Sequence, residues 1–175
     1  PSTGGQIASL PVKDGDRVEA GALLLELWNV DVKAELTLAE RDARAARSRS
    51  REACVVAAVA KRDAERLSRL RSERLASEEA ADQAEGRAES TAAACAAAED
   101  AARVADARVD VVQAQLERTL LRAPFAGVIA EINGEVGEFV TPSPIGIPTP
   151  PTVDLIDASC LYISAPIDEV YAPRI

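Results

Sequence analysis

Histidine and methionine are absent from this 175-residue sequence, and aromatic residues make up only 3% of it. The missing histidine removes the commonest general base, the commonest side-chain metal ligand and the usual partner of a catalytic serine or cysteine. The three cysteines, Cys54, Cys95 and Cys160, do not have the spacing of a metal site. We therefore expect a protein that is not an enzyme and that holds no metal.

The sequence also lacks long apolar runs and an excess of basic residues. No stretch reaches the roughly 18 apolar residues that a membrane-spanning helix needs, and no signal peptide is present. The net charge of −9 argues against a nucleic-acid partner, and the arginines of residues 41–51 lack stacking aromatics. The chain starts at Pro1 and ends just after strand-like residues, so we expect a piece of a longer protein, and the lack of a membrane anchor in this piece excludes little.

Residues 32–118 contain no proline and a single glycine, Gly86. Small or apolar residues recur there at alternating steps of four and three, which is the heptad spacing of a coiled-coil seam. The first row is Val32, Leu36, Ala39, Ala43, Ala46, Ser50, Ala53, Ala57, Ala60, Ala64 and Leu67. The second row is Ser77, Ala81, Ala84, Ala88, Thr91, Cys95, Ala98, Ala102, Ala105, Val109, Val112 and Leu116.

The heptad pattern fails between the two rows, at residues 70–76. Two helices of similar length joined by a short break form an antiparallel helical hairpin. Residues 31–75 contain 12 Lys/Arg against 8 Asp/Glu, whereas residues 76–118 contain 4 against 10. A basic helix therefore lies beside an acidic one, in the hairpin or in a neighbouring subunit, although each exposed pair contributes only about 0–1 kcal/mol. The heptads admit two registers one repeat apart.

The cysteines of the hairpin leave two states open. Cys95 lies in the seam and Cys54 lies one position beside it, so the two approach each other in one register. Buried free thiols are the expected state, and a Cys54–Cys95 disulfide is the alternative.

The segments on either side of the hairpin repeat each other. Both have alternating apolar residues like a strand, followed by a glycine in a turn. A shift of 122 residues superposes Gly5, Ile7, Ala8, Leu10, Gly15 and Val18 on Gly127, Ile129, Ala130, Ile132, Gly137 and Val140. Neither half has enough strands to enclose a core by itself. The sequence therefore predicts one small β-sandwich built from both halves, with the helical hairpin inserted between them.

The remaining stretches set the expected domain boundaries. Residues 141–151 are rich in proline and are expected to be irregular. A strand is expected at residues 153–156, and Trp28 is expected to pack against the first half. The predicted division is residues 1–31 and 119–159 for the two halves of the β domain and 32–118 for the hairpin, with its tip at about 70–77. Residues 160–175 are expected to begin a further domain that is truncated.

The glycine-marked halves around a heptad hairpin resemble the periplasmic adaptor (membrane fusion) proteins of bacterial tripartite efflux pumps and type I secretion systems, the HlyD family. The matching segments are residues 5–27, with VKDGDRVEAG at 12–21, residues 121–140, with RAPFAG at 122–127, and residues 154–170. The resemblance implies an α+β fold: a split lipoyl-like β-sandwich, or barrel-sandwich hybrid, with a long antiparallel coiled-coil hairpin inserted. It also implies that residues 160–175 are the start of a truncated β-barrel domain.

The same resemblance implies a function and a location. It implies a periplasmic adaptor subunit that links an inner-membrane transporter of the ABC or RND type to a TolC-like outer-membrane channel and exports small molecules or proteins. It also implies self-association as a hexameric ring and attachment to the inner membrane through a part outside this chain. The family's channel-contacting tip pattern falls on Arg66, Leu70 and Ser77. Alternatively, Ser77 only caps the second helix and Arg66 is a solvated charge.

Two further readings remain. A lipoyl or biotinyl carrier presents a modified lysine where the two halves meet, but helices occupy that junction here and no such lysine motif is present; no cofactor is expected. The other alternative is a structural coiled-coil spacer that oligomerises without docking a channel. If the subunits form a ring, the loop Asn133, Gly134, Glu135 and Val136 is expected to project into its lumen.

Overall fold

The computed structural model describes residues 3–141 and 150–157. Its contacts divide the chain into two units, one comprising Pro1–Trp28 with Arg118–Ile175 and the other Asn29–Glu117. The expected strand-like opening of a further domain at residues 160–175, and Cys160 with it, lies outside the described residues.

Over the residues that the structure describes, the first unit contains seven short strands. In chain order these are β1 Gly5–Ser9, β2 Arg17–Val18, β3 Leu23–Leu27, β4 Leu120–Arg122, β5 Gly127–Ile132, β6 Phe139–Val140 and β7 Val153–Ile156. They form a four-stranded sheet in the order β4-β3-β1-β6 and a three-stranded sheet in the order β2-β5-β7. Every recorded pairing is antiparallel. Each sheet takes strands from both sides of the helical insertion, so the two flanks fold as one body.

The internal repeat appears in the hydrogen bonds. The amide of Ile7 donates to the carbonyl of Glu138 at 2.8 Å, and the amide of Ile129 donates to the carbonyl of Asp16 at 2.9 Å. These two bonds exchange places under the 122-residue shift, so the first strand of each half pairs with the turn of the other half. Gly15 and Gly137 occupy equivalent turns with φ of 84° and 96°, a conformation that favours glycine.

Two apolar clusters form the interior of the β unit. One contains Ile7, Leu25, Leu27 and Val140, and the other contains Leu24, Ala123 and Ile129. Adjacent residues of a strand point to opposite faces, so Leu24 and Leu25 join different clusters and both faces of β3 are covered. Trp28 is 61% exposed, so the expectation that it packs against the first half was wrong: leucines of β3 contribute to both interior clusters, and Trp28 belongs to neither.

The second unit is the helical hairpin. Helix α1 runs over Val30–Ser72 and helix α2 over Glu78–Arg118. Every residue of the two heptad rows is buried or half-buried except Ser77, which precedes α2. At about 1.5 Å per residue each helix is roughly 60 Å long. Within residues 3–141 and 150–157, neither helix is apolar enough over a sufficient length to cross a membrane.

Candidate docking site on the helical hairpin

The tip is the turn at residues 73–77. Helix α1 ends in a C-terminal capping turn, in which the amides of Arg74 and Leu75 donate to the carbonyls of Arg71 and Leu70 at 2.9 and 2.8 Å. Arg74 adopts a left-handed conformation with φ of 61°, which reverses the chain. Leu75 follows directly and is 71% exposed.

The three predicted docking residues lie at and just before this turn. Leu70 is half-buried in the last turn of α1, and Arg66 lies four residues earlier, one helical turn away. Arg66 is 65% exposed and forms an ion pair with Asp63. Arg66 and Leu70 therefore share a side of α1, while Ser77 is on the other side of the turn.

Ser77 caps the second helix. Its hydroxyl oxygen accepts a hydrogen bond from the amide of Ala80 at 3.2 Å, as an N-cap residue does. The structure therefore contains the capping role that the sequence offered as the alternative for Ser77. Because the hydroxyl only accepts in this bond, its proton is still available to donate to a partner.

Sequence reasoning missed two features of the tip. Leu75 interrupts the heptad pattern, so it was treated as part of the break, yet it is the most exposed large apolar side chain of the turn. Arg71 and Asp82 form an ion pair across the two helices at 3.4 Å. The opposite charges of the two helices were the available signal, but they could not select this pair without a register.

The register is established by contacts along the hairpin. Arg47 pairs with Asp106 at 2.6 Å, and Cys54 is bonded to Cys95 with a Cα–Cα distance of 4.6 Å. The expectation of free thiols at these two positions was therefore wrong. An alanine seam brings the helix axes close together, and the resulting Cα separation lies within the range that a disulfide spans.

Charged side chains lie in the Arg47–Asp106 pair and beside the disulfide. The carboxylate of Asp106 raises the pKa of Arg47 further above its usual value, first by its hydrogen bond and then by its charge. A carboxylate oxygen of Glu99 lies 3.7 Å from the sulfur of Cys54. Cys54, Cys95 and Glu99 form a tight group of potential metal-ligand atoms, but the two sulfurs are bonded to each other and are not thiolate ligands.

The predicted lumen loop lies in the β unit between β5 and β6. The amide of Asn133 donates to the carbonyl of Thr152 at 2.9 Å, and the Asn133 side chain donates to the carbonyl of Pro151 at 3.2 Å. A Cβ on Gly134 would lie 3.0 Å from Thr152 and 3.1 Å from Ile7. Glu135 accepts from the amide of Glu138 in a tight turn, and Val136 is 64% exposed at its apex. The loop is thus anchored at Asn133 and Gly134 and presents Val136 to solvent.

A two-sheet unit whose chain is interrupted by a long helical hairpin is the fold of the periplasmic adaptor, or membrane fusion, proteins. The sequence resemblance to that class is confirmed at the level of the fold. No protein-family model and no curated protein sequence matches the chain.

Two solved structures show the likeness. MacA from Actinobacillus actinomycetemcomitans superposes with a TM-score of 0.76 at 21% identity, over 91% of this chain and 48% of MacA. A MacA-MexA chimeric protein containing the Pseudomonas aeruginosa MexA alpha-hairpin domain superposes with a TM-score of 0.53 at 20% identity, over 90% of this chain and 45% of the chimera. The chain therefore spans about half the length of these proteins, and the likeness concerns the fold.

Proposed function

We propose that this chain is the hairpin-bearing part of a periplasmic adaptor subunit that joins an inner-membrane transporter to a TolC-like outer-membrane channel. The observation that carries the proposal is the shared architecture with MacA at a TM-score of 0.76. In this proposal the two-sheet unit is a split lipoyl-like domain, and copies of it form a hexameric ring in the periplasm. The transporter is of the ABC or RND type, and the protein has no catalytic or cofactor site.

The mechanism is geometric, and the tip is the recognition element. Leu75 exposes most of its side chain, and half-buried Leu70 lies beside it at the end of α1. These leucines supply the apolar contacts for a pair of channel helices. Arg66 supplies a mostly exposed guanidinium, which can bind a carboxylate or a helix C-terminus. Ser77 can donate its hydroxyl proton while it caps α2.

Within the ring, the loop from Asn133 to Val136 is proposed to line the lumen. Its base is held to residues 151–152 by the two Asn133 hydrogen bonds. The exposed Val136 would then narrow the ring opening with an apolar side chain. Glu135 and Glu138 would add negative charge at the same level.

The test is a tip variant that leaves the hairpin folded. In the full-length protein, Arg66→Ala, Leu70→Ala and Ser77→Asn are combined, because asparagine preserves the cap. The expected result is loss of export and loss of the outer-membrane channel, identified by mass spectrometry, from cross-linked adaptor complexes. A matched control combines Leu38→Ala and Arg49→Ala, both exposed positions on the shaft of α1, and should keep both activities.

Three outcomes separate the alternatives. If the tip variant exports and retains the channel like the wild type, the docking assignment is wrong. If neither protein ever captures a channel or transporter although both oligomerise, the chain is a structural spacer. A mass increase of the intact protein that corresponds to lipoyl or biotinyl would instead indicate a carrier.

A further inference from the structure

Three side chains with metal-ligand atoms converge within the hairpin. Among the residues that the structure describes, the two sulfurs of Cys54 and Cys95 and a carboxylate oxygen of Glu99 all lie within 4.8 Å of one another. Cys95 and Glu99 are four residues apart on α2, so they share one face of that helix. Cys54 faces them from α1. Two ligands at this spacing on one helix and a third on the facing helix form the kind of donor set that holds a metal ion between packed helices.

The distances suit a small tetrahedral ion. The sulfur of Cys54 and the carboxylate oxygen of Glu99 are 3.7 Å apart, and a tetrahedral zinc ion holds a thiolate sulfur and a carboxylate oxygen about 3.6 Å apart. The two sulfurs are bonded to each other in the disulfide, and they must separate to about 3.8 Å to bind one ion. A change of rotamer at one cysteine moves its sulfur by roughly 3 Å, so the helices themselves need not move apart.

Contacts on either side of the disulfide hold the register without it. The Arg47–Asp106 pair lies toward the β unit and the Arg71–Asp82 pair lies toward the tip. Both join α1 to α2, and neither involves a sulfur atom. The buried alanines of the seam, Ala39, Ala43, Ala60, Ala81 and Ala102, also lie on both sides of the bond. The two cysteines therefore stay level with each other when the disulfide is reduced.

Access and charge also suit a cation. Cys54 and Cys95 are half-buried and Glu99 is exposed, so an ion reaches the sulfurs from solvent past the carboxylate. Glu99 and Arg51 line the same open groove in the hairpin surface. Two thiolates and a carboxylate together carry three negative charges, which a divalent cation reduces to one. Arg51, which bonds to the hydroxyl of Ser48 at 3.4 Å, lies close enough to offset part of the remaining charge.

We infer that Cys54, Cys95 and Glu99 form a binding site for Zn²⁺ when the disulfide is reduced, with water as the fourth ligand. Thiolates favour zinc over magnesium and calcium. A protein dithiol transfers two electrons and two protons to the disulfide and becomes a disulfide itself; the two cysteine thiols then bind Zn²⁺ and release two protons. A protein disulfide reverses this, since it oxidises the two thiolates, takes up two protons and frees the ion. The disulfide and the metal are thus alternative cross-links between α1 and α2.

The first test is a metal titration of the full-length protein with Cys160→Ser, after reduction by a phosphine and removal of the phosphine under argon. Co²⁺ serves as the spectroscopic substitute, because Zn²⁺ has a filled d shell and is silent. We expect one Co²⁺ per chain with a thiolate charge-transfer band, and displacement of that band by Zn²⁺. The oxidised protein and a variant with Cys54→Ser and Cys95→Ser should show no such band. A reduced protein without the band, or an oxidised protein with it, overturns the inference.

The carboxylate has its own test. Glu99→Gln should weaken Zn²⁺ binding to the reduced protein by at least about tenfold, while Glu89→Gln, at an exposed position on another side of α2, should leave it unchanged. Equal affinities for Glu99→Gln and the wild type would show that Glu99 is not a ligand.

Thermal unfolding gives a measurement that holds even if reduction loosens the hairpin. Zn²⁺ should raise the temperature at which the reduced wild type loses its helical circular dichroism by several degrees, because the ion binds the folded hairpin. The reduced Cys54→Ser, Cys95→Ser variant should not respond, and an equal rise in that variant contradicts the site. The site does not depend on the adaptor function: zinc binding without channel capture removes only that function, and export without zinc binding removes only the site.

Discussion

The amide of Ile129 donates a hydrogen bond to the carbonyl of Asp16 across 2.9 Å, although 112 residues separate them in the chain. Ile129 also accepts a hydrogen bond from the same turn, because the amide of Gly15 donates to the carbonyl of Ile129 at 2.8 Å. The equivalent bonds in the other half join Ile7 to Glu138 and Gly137. Each half of the β unit thus completes its first strand with the other half's turn, and neither half is complete alone.

Gly127 and Gly5 are equivalent in the repeat but not in their surroundings. A Cβ at position 127 would lie 2.4 Å from the carbonyl oxygen of Ile156, whereas one at position 5 would lie 3.4 Å from the nearest atom, in Leu27. Gly127→Ala should therefore destabilise the β unit by about 1–3 kcal/mol, because β7 must move away. Gly5→Ala is the control and should stay within about 1 kcal/mol of the wild type. Denaturant unfolding measures both, and equal effects would contradict the close approach of β7.

Ile7 and Ile129 should contribute alike to stability. Each is 1% exposed, and each lies in one of the two apolar clusters. Ile7→Ala and Ile129→Ala should each cost about 2–5 kcal/mol of unfolding free energy. Leu38→Ala, at a 58% exposed position of α1, provides the surface control. If one isoleucine could be truncated at little cost, the two clusters would not be equally packed.

The disulfide should stabilise the hairpin strongly. It closes a loop with a sequence separation of 41, which corresponds to about 4 kcal/mol of reduced unfolded-state entropy. The alanine seam buries little apolar area, so this contribution is large for the hairpin. Cys54→Ser with Cys95→Ser should lower the temperature at which helical circular dichroism is lost, as reduction of the wild type should. Cys160→Ser is the control.

The number of free thiols tests whether the Cys54–Cys95 disulfide forms. Titration of the denatured, unreduced chain should reveal one reactive thiol rather than three, since two of the three cysteines are bridged. A count of three would mean that the bond does not form.

The cap at Ser77 should be separable from any docking role. Ser77→Ala removes the acceptor of the Ala80 amide and should cost about 0.5–2 kcal/mol of hairpin stability, while Ser77→Asn should restore most of it. Thermal unfolding followed at the helical signal distinguishes the two. Channel capture by the Ser77→Asn protein then reports on the hydroxyl alone, because the helix start is preserved.

Local patterns in the sequence were sufficient to predict the two helices and the shared β unit. The heptad rows predicted two helices because burial at every third and fourth residue requires a helical period, and their residues from Val32 to Leu116 are buried or half-buried except Ser77. The 122-residue repeat predicted a β unit shared by both flanks, since half a sandwich cannot cover its own apolar face. The docking residues remain a prediction, because a tip sequence carries no record of its partner.

Tertiary structure decided the register of the two helices and the pairing of the two halves, which the periodicity of the sequence leaves open. Heptads shifted by one repeat bury the same residue types, so only the packed helices select the register in which Cys54 meets Cys95 and Arg47 meets Asp106. The repeat likewise shows which residues are equivalent but not that the halves exchange turns, because that depends on hydrogen bonds between residues more than a hundred positions apart. Amino-acid order determined the helices and the paired halves; three-dimensional packing determined how they are aligned.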